Sequence, residues 1–572
     1  MRTLITLNAI LFIVLCETPN SCLFAQKNKD FTEEQWIEDL HFAAKILIDN
    51  HPNLYYRITQ AEFQRNIAIA EEKIRHSNSD EESFTAIRQA FASIWDGHTR
   101  LGTNTLGDYN NIFPVRFYDF SDGVFITGIT GKYAKYLGAK VVNIGRFSAQ
   151  EALKMAGTLA FADNEFGRKC QAPVLTITCN YAFGLGITQS VDSLLLVVET
   201  TNGKFETICL SREIPSGQNT MISTMDIAPS GIPFTSAFTG TGKEQPLYIK
   251  HLDGSHNYWF EHDKKNKILY MQFNQVVDQS DESFEQFYRN MFKYFDEHAA
   301  SIDKFVVDVR FNGGGNGRML LPFINEIIKR DKINSPGSLY ILTGRRSFSA
   351  AVLFIAEMIN HTNVLLVGEP TGAAQSMFSD IELKGTLPNC GATLLLSTAY
   401  FNIAWPANKK YFIAPHFPAH FSSTDFFLGR DPALEAIKAN KIRPLESVFY
   451  EEGPKAAMDH FHKINMDWGL HSEELSIMPY QSPVTKYNLG EGYLNNLGYE
   501  LLSNNKVVDA QAAFELNTLL FPESFNVWDS LAECFMKQGD NQSAIKYYNK
   551  SLELNPGNAN AKDKLIELKK KN

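Results

Sequence analysis

Four short apolar runs between residues 267 and 367 constrain the fold of this chain more than any other feature of its sequence. Each run has the length of a buried strand, and amphipathic stretches of helical period separate successive runs. Strands that alternate with helices predict an α/β unit in which helices cover a largely parallel sheet. The strands are predicted at 268–271, 305–309, 338–342 and 364–367, and the helices at about 283–297, 317–329 and 349–360.

The chain as a whole is too long for a single hydrophobic core. At roughly 100 to 200 residues per domain, its 572 residues predict three or four units. Hydrophobic residues make up 44% of the chain and charged residues 21%, so most of the length can bury enough apolar surface to fold. A nucleic-acid footprint needs a basic face, whereas the formal net charge is −10, and we expect no nucleic-acid partner.

Two stretches of different character precede the α/β unit. After a capping box at Thr32 and Gln35, apolar residues recur at helical spacing, which predicts a small N-terminal helical domain at 27–105. From residue 113 onwards, short β-branched runs are broken by glycine and asparagine. This pattern predicts a mainly β domain at 110–235.

The C-terminal stretch repeats itself with a period of 34 residues, the length of a tetratricopeptide repeat. The residue pairs that share this separation are Leu494 and Trp528, Gly498 and Ala532, Ala510 and Ala544, Phe514 and Tyr548, and Pro522 and Pro556. We therefore predict two tetratricopeptide-like repeats at 486–572, after a linker at 446–485. Two repeats bury little core alone, so we expect them to pack on the linker stretch or on the α/β unit, and to offer a surface to a protein partner.

The first residues have the pattern of a secretory signal peptide at 1–26. Arg2 precedes an apolar run that ends at Cys16, and cleavage is expected near Ala25 and Gln26. The run is shorter than the ~20 residues that a spanning helix needs. We therefore expect a periplasmic or secreted protein with no membrane span after cleavage.

Cysteines and histidines do not predict a cofactor or a metal site. The cysteines after the signal peptide are too scattered for a disulfide framework, although one bridge among Cys170, Cys179 and Cys209 stays open. Two histidine pairs have a spacing that a metal could use, but they lack nearby carboxylate or cysteine ligands, and prolines interrupt the helical pattern. These pairs are His416 with His420 and His460 with His462.

A glycine loop follows the second predicted strand of the α/β unit. The segment VDVRFNGGG at 307–315 ends in consecutive glycines, whose backbone N–H groups can approach a phosphate or a developing oxyanion closely. The loop lacks the Gly-Lys-Ser/Thr ending of a P-loop, and Arg318 falls where a dinucleotide motif needs its third glycine. A phosphate site is therefore disfavoured.

A serine turn follows the third predicted strand. The segment GRRSFSAA at 344–351 lies between that strand and a helix that begins near Ser349. A serine at such a turn has its hydroxyl at the helix N-terminus, where free N–H groups and the peptide dipoles favour negative charge. Ser349 is therefore a candidate nucleophile, although this segment alone also suits a plain helix cap.

Together with VGEPTG at 367–372, these segments resemble the tail-specific (carboxyl-terminal processing) and tricorn-type serine peptidases. The resemblance extends to DGHT at 96–99 and to GRDPALE at 429–435. It implies a multidomain α/β protein with a Clp-protease/crotonase-like core at 236–445 and a PDZ-like β domain, which would capture a peptide by strand addition. It also implies a hydrolase that cleaves peptide or protein substrates without a cofactor.

One position departs from the pattern of the serine-lysine members of this group. Their loop carries a lysine base where this chain has Ala374, and no lysine occurs between Ser349 and Lys384. A serine hydroxyl is a poor nucleophile without a group to take its proton. Tricorn-type members use a histidine that precedes the PDZ-like domain, so the resemblance implies that His98 is the general base.

The remaining site residues are also expectations from the resemblance. Asp380 or Glu382, just beyond the loop that contains Thr371, is expected to orient the imidazole, and spacing does not choose between the two. The backbone N–H groups of Gly314 and Ala350 are expected to form the oxyanion hole.

Two other functions stay open at this point. The absent lysine favours a peptidase-like protein that binds peptides or acts as a scaffold without cutting them. Acyl-CoA chemistry on the related crotonase fold is remote for an exported chain, because CoA is cytoplasmic.

Overall fold

The computed structural model describes residues 30–102, 111–213, 234–238, 245–252, 254–335, 337–403, 411–439, 445–466 and 491–571. The predicted signal peptide at 1–26 lies outside these residues. Within them, no helix combines the length and the apolar character needed to cross a membrane.

The helices and strands are numbered here in chain order. The α-helices of the described residues are α1 (Glu33–Asn50), α2 (Gln60–Arg75), α3 (Asp80–Ala92), α4 (Ala149–Gly157), α5 (Glu165–Ile177), α6 (Cys179–Gly184), α7 (Phe284–His298), α8 (Leu320–Ile328), α9 (Ala350–His361), α10 (Ser423–Phe427), α11 (Pro432–Lys438), α12 (Leu445–Glu452), α13 (Pro454–Met466), α14 (Glu491–Ser503), α15 (Val507–Leu520), α16 (Phe525–Gln538), α17 (Asn541–Leu554) and α18 (Ala559–Lys571). The strands are β1 (Arg100–Leu101), β2 (Val115–Phe120), β3 (Gly123–Thr130), β4 (Lys140–Ile144), β5 (Phe147–Ser148), β6 (Ser193–Glu199), β7 (Phe205–Ser211), β8 (Phe234–Ser236), β9 (Tyr258–Asp263), β10 (Ile268–Phe273), β11 (Lys304–Asp308), β12 (Leu339–Thr343), β13 (Leu365–Gly368), β14 (Met377–Thr386), β15 (Thr393–Phe401) and β16 (Phe417–Pro418).

The α/β unit is built on a six-stranded sheet in the order β16-β13-β12-β11-β10-β9. Strands β10 to β13 and β16 run parallel, and β9 pairs antiparallel with β10. The predicted strands are present as β10 to β13 and the predicted helices as α7 to α9, so the α/β prediction is confirmed.

Both faces of this sheet are covered, because successive residues of a strand point to opposite sides. Along β10, Leu269 and Met271 pack with helices α7 to α9, whereas Ile268 and Tyr270 pack in a second cluster with α11. Parallel strands end at the same edge of the sheet. The glycine loop after β11, the serine turn after β12 and the loop after β13 therefore meet at one edge.

The N-terminal helices pack against a hairpin that follows the α/β strands. Strands β14 and β15 form this hairpin, and β1 pairs with β15. On α1, the buried Asp39 accepts hydrogen bonds from the amides of Asn389 and Cys390 in the hairpin turn, both at 2.9 Å. The segment that contains His98 lies between α3 and β1, so this packing brings it to the α/β unit.

The region at 110–235 is more helical than the sequence pattern predicted. Its sheet has the order β2-β3-β4-β6-β7, with β5 on β4 and β8 on β3, and helices α4 to α6 lie between β5 and β6. A capping box between Ser148 and Glu151 begins α4, and Asn164 caps α5. The apolar residues of this region and of the N-terminal helices form one continuous core. The two regions are therefore joined by packing rather than separated by a flexible boundary.

The predicted linker at 446–485 contains helix for much of its described part, as α12 and α13; residues 467–490 lie outside the described chain. Phe449 and Met458 of these helices pack against Leu494 and Leu516 of α14 and α15. The repeat region consists of the helix pairs α14–α15 and α16–α17, followed by α18. An amphipathic helix needs a partner for its apolar face, and here α12 and α13 supply it for the first pair.

Candidate active site

Ser349 stands at the turn between β12 and α9. The strand ends at Thr343, and α9 begins at Ala350, directly after the serine. The backbone of Ser349 has φ 55° and ψ −128°, and non-glycine residues rarely adopt a positive φ. Strain of this kind costs about 1–3 kcal/mol and clusters at functional sites, including the strained strand-to-helix turn of serine hydrolases.

Hydrogen bonds fix this serine turn to both neighbouring loops. Ser347 Oγ donates to the carbonyl of Val309 at 2.8 Å, and the N–H of Phe348 donates to the carbonyl of Asn312 at 3.0 Å. On the other side, the N–H of Gly372 donates to the carbonyl of Ser347 at 3.1 Å. The turn therefore has little freedom to move relative to the glycine loop and the loop after β13.

His98 lies next to the serine although 251 positions separate the two in the sequence. The distance from His98 Nε2 to Ser349 Oγ is 2.9 Å, and the imidazole stacks on the ring of Phe348 at 4.5 Å between centroids. Burial lowers the pKa of His98 below its ordinary value, although Asp163 and Asp96 act in the opposite direction. At neutral pH the ring is therefore neutral, which is the form that accepts a proton.

Asp96 anchors the turn that carries His98. Its Oδ1 accepts the N–H of His98 at 2.9 Å, and its Oδ2 accepts the hydroxyl of Ser397 at 2.7 Å and lies 3.0 Å from Nε2 of His51. Burial acts to raise the pKa of Asp96, but hydrogen bonds from His51 and Thr99 outweigh it, and the pKa lies below its ordinary value. An ionised carboxylate therefore fixes the position of the histidine.

The acid expected to orient the imidazole does not do so in this structure. Within the described part of the chain, Nδ1 of His98 is buried and has no hydrogen-bond partner. Asp380 and Glu382 are both exposed on β14, and Glu382 pairs with Lys384 at 2.6 Å. Both faces of β14 are exposed from Asp380 to Leu383, so both carboxylates lie at the surface. Neither carboxylate bonds to His98 in this structure, and which acid orients the imidazole stays a prediction.

The backbone N–H groups of Gly314 and Ala350, which were predicted to form the oxyanion hole, lie beside Ser349. They differ in whether they are available to bind an oxyanion. A Cβ added to Gly314, whose φ is +102°, would lie 2.5 Å from Cβ and 3.0 Å from Oγ of Ser349, so only glycine fits there. The Gly314 N–H already donates to Oδ1 of Asn312 at 2.8 Å. The N–H of Ala350 stands at the first position of α9, where a helix offers no internal acceptor. An oxyanion can use Ala350 directly, and Gly314 only by sharing or displacing the asparagine oxygen.

Asp308 and Arg310 of the glycine-loop motif hold the site together rather than line it. The buried guanidinium of Arg310 bonds to Asp308 at 2.6 Å and to Asp431 at 2.7 Å, and the hydroxyl of Tyr270 donates to Asp308 at 2.6 Å. Asp431 caps α11 with the same carboxylate. This network joins the motifs at 307–315 and 429–435, which explains why both belong to one pattern.

Ala374 occupies the position of the absent lysine, and its side chain is fully buried. Its backbone N–H donates to Oδ2 of Asp163 at 3.1 Å, and Oδ1 of Asp163 accepts the N–H of Gly97 at 2.9 Å. No sequence motif indicated Asp163, nor the contact of His51 with Asp96. The only signal for Asp96 was its place beside His98 in the DGHT segment.

The histidines with metal-like spacing have other partners. Nδ1 of His416 accepts the N–H of Leu366 at 2.8 Å, and burial lowers the pKa of His416 to about 4. Nδ1 of His420 lies 3.4 Å from Glu369. Across the described residues, no three His, Cys, Asp or Glu side chains are grouped so that they could hold a metal ion. Among the described residues, Cys170, Cys179, Cys209, Cys390 and Cys534 form no disulfide bond.

Fold and site define a multidomain α/β protein with a serine–histidine pair at the carboxyl edge of its central sheet, followed by helical repeats. A family model described as tetratricopeptide repeat matches residues 528–558, within the predicted repeats. No curated protein matches the chain.

Several solved structures are similar to this chain. Mature CPAF complexed with lactacystin is similar over 72% of this chain and 98% of its own, with a TM-score of 0.45 and 12% identity. The photosystem II D1 C-terminal processing protease is similar over 72% of this chain and 97% of its own, with a TM-score of 0.34 and 12% identity. The tricorn protease is similar over 72% of this chain and 37% of its own, with a TM-score of 0.36 and 13% identity.

Proposed function

We propose that this protein is an exported serine endopeptidase, in which Ser349 forms an acyl-enzyme and His98 is the general base. The observation that carries the proposal is the 2.9 Å contact between His98 Nε2 and Ser349 Oγ. This distance is a normal hydrogen bond between a nucleophile and its base. Export rests on the signal-peptide pattern at 1–26.

The first half of the proposed reaction forms the acyl-enzyme. His98 takes the proton of Ser349 while Oγ bonds to the carbonyl carbon of the substrate peptide. The carbonyl oxygen becomes negative and is stabilised by the N–H of Ala350 and the N-terminus of α9. The imidazolium then gives its proton to the leaving amine, and the C–N bond breaks.

The second half returns the enzyme to its starting state. The neutral imidazole of His98 removes a proton from water, which attacks the acyl carbon. The same oxyanion donors stabilise the second tetrahedral intermediate, and the carboxylic acid leaves as Ser349 recovers its proton. No cofactor or metal takes part in either half.

The other regions would serve substrate and partner binding. We propose that the PDZ-like β domain captures a peptide segment and that the C-terminal repeats bind a protein partner on their concave face. The pocket at the boundary of β2, α5 and the α/β unit is lined by Tyr118, Lys169 and Arg345 among others. Its lining includes Gly344, Arg345 and Arg346 of the segment 344–351 that contains Ser349.

Active-site labelling with a fluorophosphonate tests the function directly, because only an activated serine reacts with it. We expect wild-type protein to be labelled and Ser349→Ala to remain unlabelled. Lys384→Ala is the matched control, and we expect it to be labelled like wild type because Lys384 pairs with Glu382 rather than with the serine. Failure to label the folded wild-type protein would reject the proposal.

The alternative is a peptide-binding or scaffold protein that does not cut. The buried Nδ1 of His98 without an acceptor and the occupied N–H of Gly314 favour it, because both differ from a complete hydrolase site. Under this alternative, a peptide library would yield binders that the protein leaves intact over long incubation. Wild-type turnover of any such peptide would reject it.

A further inference from the structure

Asp163 connects two segments that meet at the serine. It lies between α4 and α5, and its side chain is buried, with the whole residue 3% exposed. Oδ1 accepts the N–H of Gly97 at 2.9 Å, and Oδ2 accepts the N–H of Ala374 at 3.1 Å. Gly97 precedes the candidate base, and Ala374 belongs to the loop after β13. One carboxylate thus ties the histidine turn to a loop of the α/β unit.

The path from Asp163 continues to the serine turn. In the loop after β13, Gly372 lies two positions before Ala374, and its N–H donates to the carbonyl of Ser347 at 3.1 Å. The neighbour of the bridging aspartate also holds this loop, because Nδ2 of Asn164 donates to the carbonyl of Thr371 at 3.1 Å. A movement of Asp163 would therefore shift the histidine turn relative to the serine turn.

We propose that Asp163 is a positioning residue for peptide hydrolysis, which holds His98 at Ser349 and supplies the negative charge that stabilises the imidazolium. This inference rests on the proposed function, because an imidazolium forms only if His98 takes the serine proton. The residue acts through the backbone and through space, and it does not touch the reacting atoms.

Several charged groups act on His98, and the carboxylates among them favour the protonated ring. The groups that act on the imidazole are Asp163, Asp96, Arg100 and Asp380. Asp96 is already engaged by His51 and Ser397, and Asp380 is exposed to solvent, which screens its charge.

The carboxylate of Asp163 has neutral hydrogen-bond partners. Its oxygens accept from two neutral backbone N–H groups, and no ion pair to it occurs in the described part of the chain. Arg57 donates a hydrogen bond to the backbone carbonyl of Asp163 and not to its carboxylate. A buried charge with only neutral donors acts over several ångströms with little screening.

An electrostatic effect of Asp163 without a direct hydrogen bond is consistent with the position of the hydrogen on the His98 ring. For Nε2 to accept the serine proton, Nδ1 of the neutral ring must carry the hydrogen. Nδ1 of His98 is buried without an acceptor among the described residues, so no carboxylate bonds directly to the imidazolium. A nearby fixed charge then takes the place of the directly bonded acid of a catalytic triad.

Asp163→Asn removes the charge with almost no change in size. We expect kcat to fall by about 10- to 100-fold, as a misplaced and less stabilised base would produce, while KM changes little. Without the negative charge, the pKa of His98 falls further, so the acid limb of the pH–rate profile should move to lower pH by about one unit. Asp163→Glu keeps the negative charge but has a longer side chain. The acid limb of its pH–rate profile should therefore stay at the wild-type pH, while kcat remains low.

Asp39→Asn is a matched control. Asp39 is also fully buried and also bridges two loop amides, those of Asn389 and Cys390, both at 2.9 Å. The substitution should lower the melting temperature about as much as Asp163→Asn does. It should leave the acid limb in place, because Asp39 is not among the groups that act on His98.

A titration of the His98 ring by NMR in a Ser349→Ala background gives a reading that does not depend on turnover. We expect Asp163→Asn, and not Asp39→Asn, to lower the pKa of His98. Equal titration curves for all three proteins would overturn this inference and leave the proposed function standing. Absence of fluorophosphonate labelling of wild type would instead overturn the proposed function, and with it the positioning role.

Discussion

At the scale of single residues, the site depends on a neutral histidine held against a strained serine. The expected general base is His98, whose Nε2 lies 2.9 Å from Ser349 Oγ. We predict that Ser349→Ala and His98→Ala each lower kcat/KM for peptide hydrolysis by about 10² to 10⁴ or more, because a general base typically contributes that much. The measurement is steady-state hydrolysis of a fluorogenic peptide.

The same series discriminates the histidine mechanism from a displaced serine–lysine pair. The double variant should be little worse than Ser349→Ala, because residues that act as one unit are not additive. Lys384→Ala should stay close to wild type, since its ammonium group bonds to Glu382. If His98→Ala keeps wild-type turnover while Lys384→Ala loses it, Lys384 is the base.

The pH dependence follows from the burial of His98. An unperturbed histidine would give an acid limb between about pH 6 and 7. Burial lowers the pKa of His98, so the limb should be centred below about pH 6.5, with activity lost as the pH falls through that value and the ring becomes charged. The profile of kcat/KM between about pH 4 and 8 checks this, and a midpoint above pH 7 would contradict it.

At the scale of elements, the glycine loop has a geometric requirement that can be isolated. Gly314 has φ +102°, and a side chain there would press on Ser349. We predict that Gly314→Ala lowers kcat/KM by about 10²-fold or more, because a displaced nucleophile costs that much, and lowers the melting temperature by several degrees. Kinetics and thermal unfolding measured on the same sample check both parts.

Gly203→Ala separates backbone strain from the effect on the serine. Gly203 has φ +78° in the turn between β6 and β7, and an added Cβ would meet no atom within 4 Å. Gly203→Ala should lower the melting temperature about as much as Gly314→Ala does, and it should keep the wild-type kcat/KM. If both variants lose activity alike, the loss reflects strain in the fold and not the closeness of Gly314 to Ser349.

The success of sequence-based prediction differs among elements for physical reasons. Strands β10 to β13 are buried on both faces, so they appear as uninterrupted apolar runs, and the helices between them have clear helical periods. Helices α4 to α6 were hidden in a region interpreted as β, and α5 even contains Pro173 together with β-branched residues near its end. The capping box at Ser148 was a usable local signal for α4.

Residues of the site were predictable only where a local pattern marked them. Ser349 stands in a strand-to-helix turn, and His98 stands in a short motif, so both could be named from the sequence. Asp163 has no such context, because its role comes from two backbone N–H groups at Gly97 and Ala374, far away in the chain. Asp380 and Glu382 were near in sequence, but β14 turns them to solvent.

At the scale of the whole molecule, the C-terminal helices form a body of their own. The apolar residues of α12 and α13, including Phe449 and Met458, cluster with Leu494 and Leu516 of the first helix pair. Further clusters join the later helices to one another. The candidate catalytic residues belong to other parts of the chain, so we expect the repeats to recruit partners and not to take part in the chemistry.

Two truncations test this arrangement. Ending the chain after residue 439 removes the whole C-terminal cluster. We predict a soluble protein whose kcat/KM for a short peptide stays within about threefold of wild type, because the contact between His98 and Ser349 is kept. Ending it after residue 466 leaves α12 and α13 but removes their partners, which exposes Phe449 and Met458 and should cause aggregation. Size-exclusion chromatography and peptide hydrolysis check both variants. A monomeric, well-folded protein ending at 439 without turnover would show that the repeats are part of the catalytic unit.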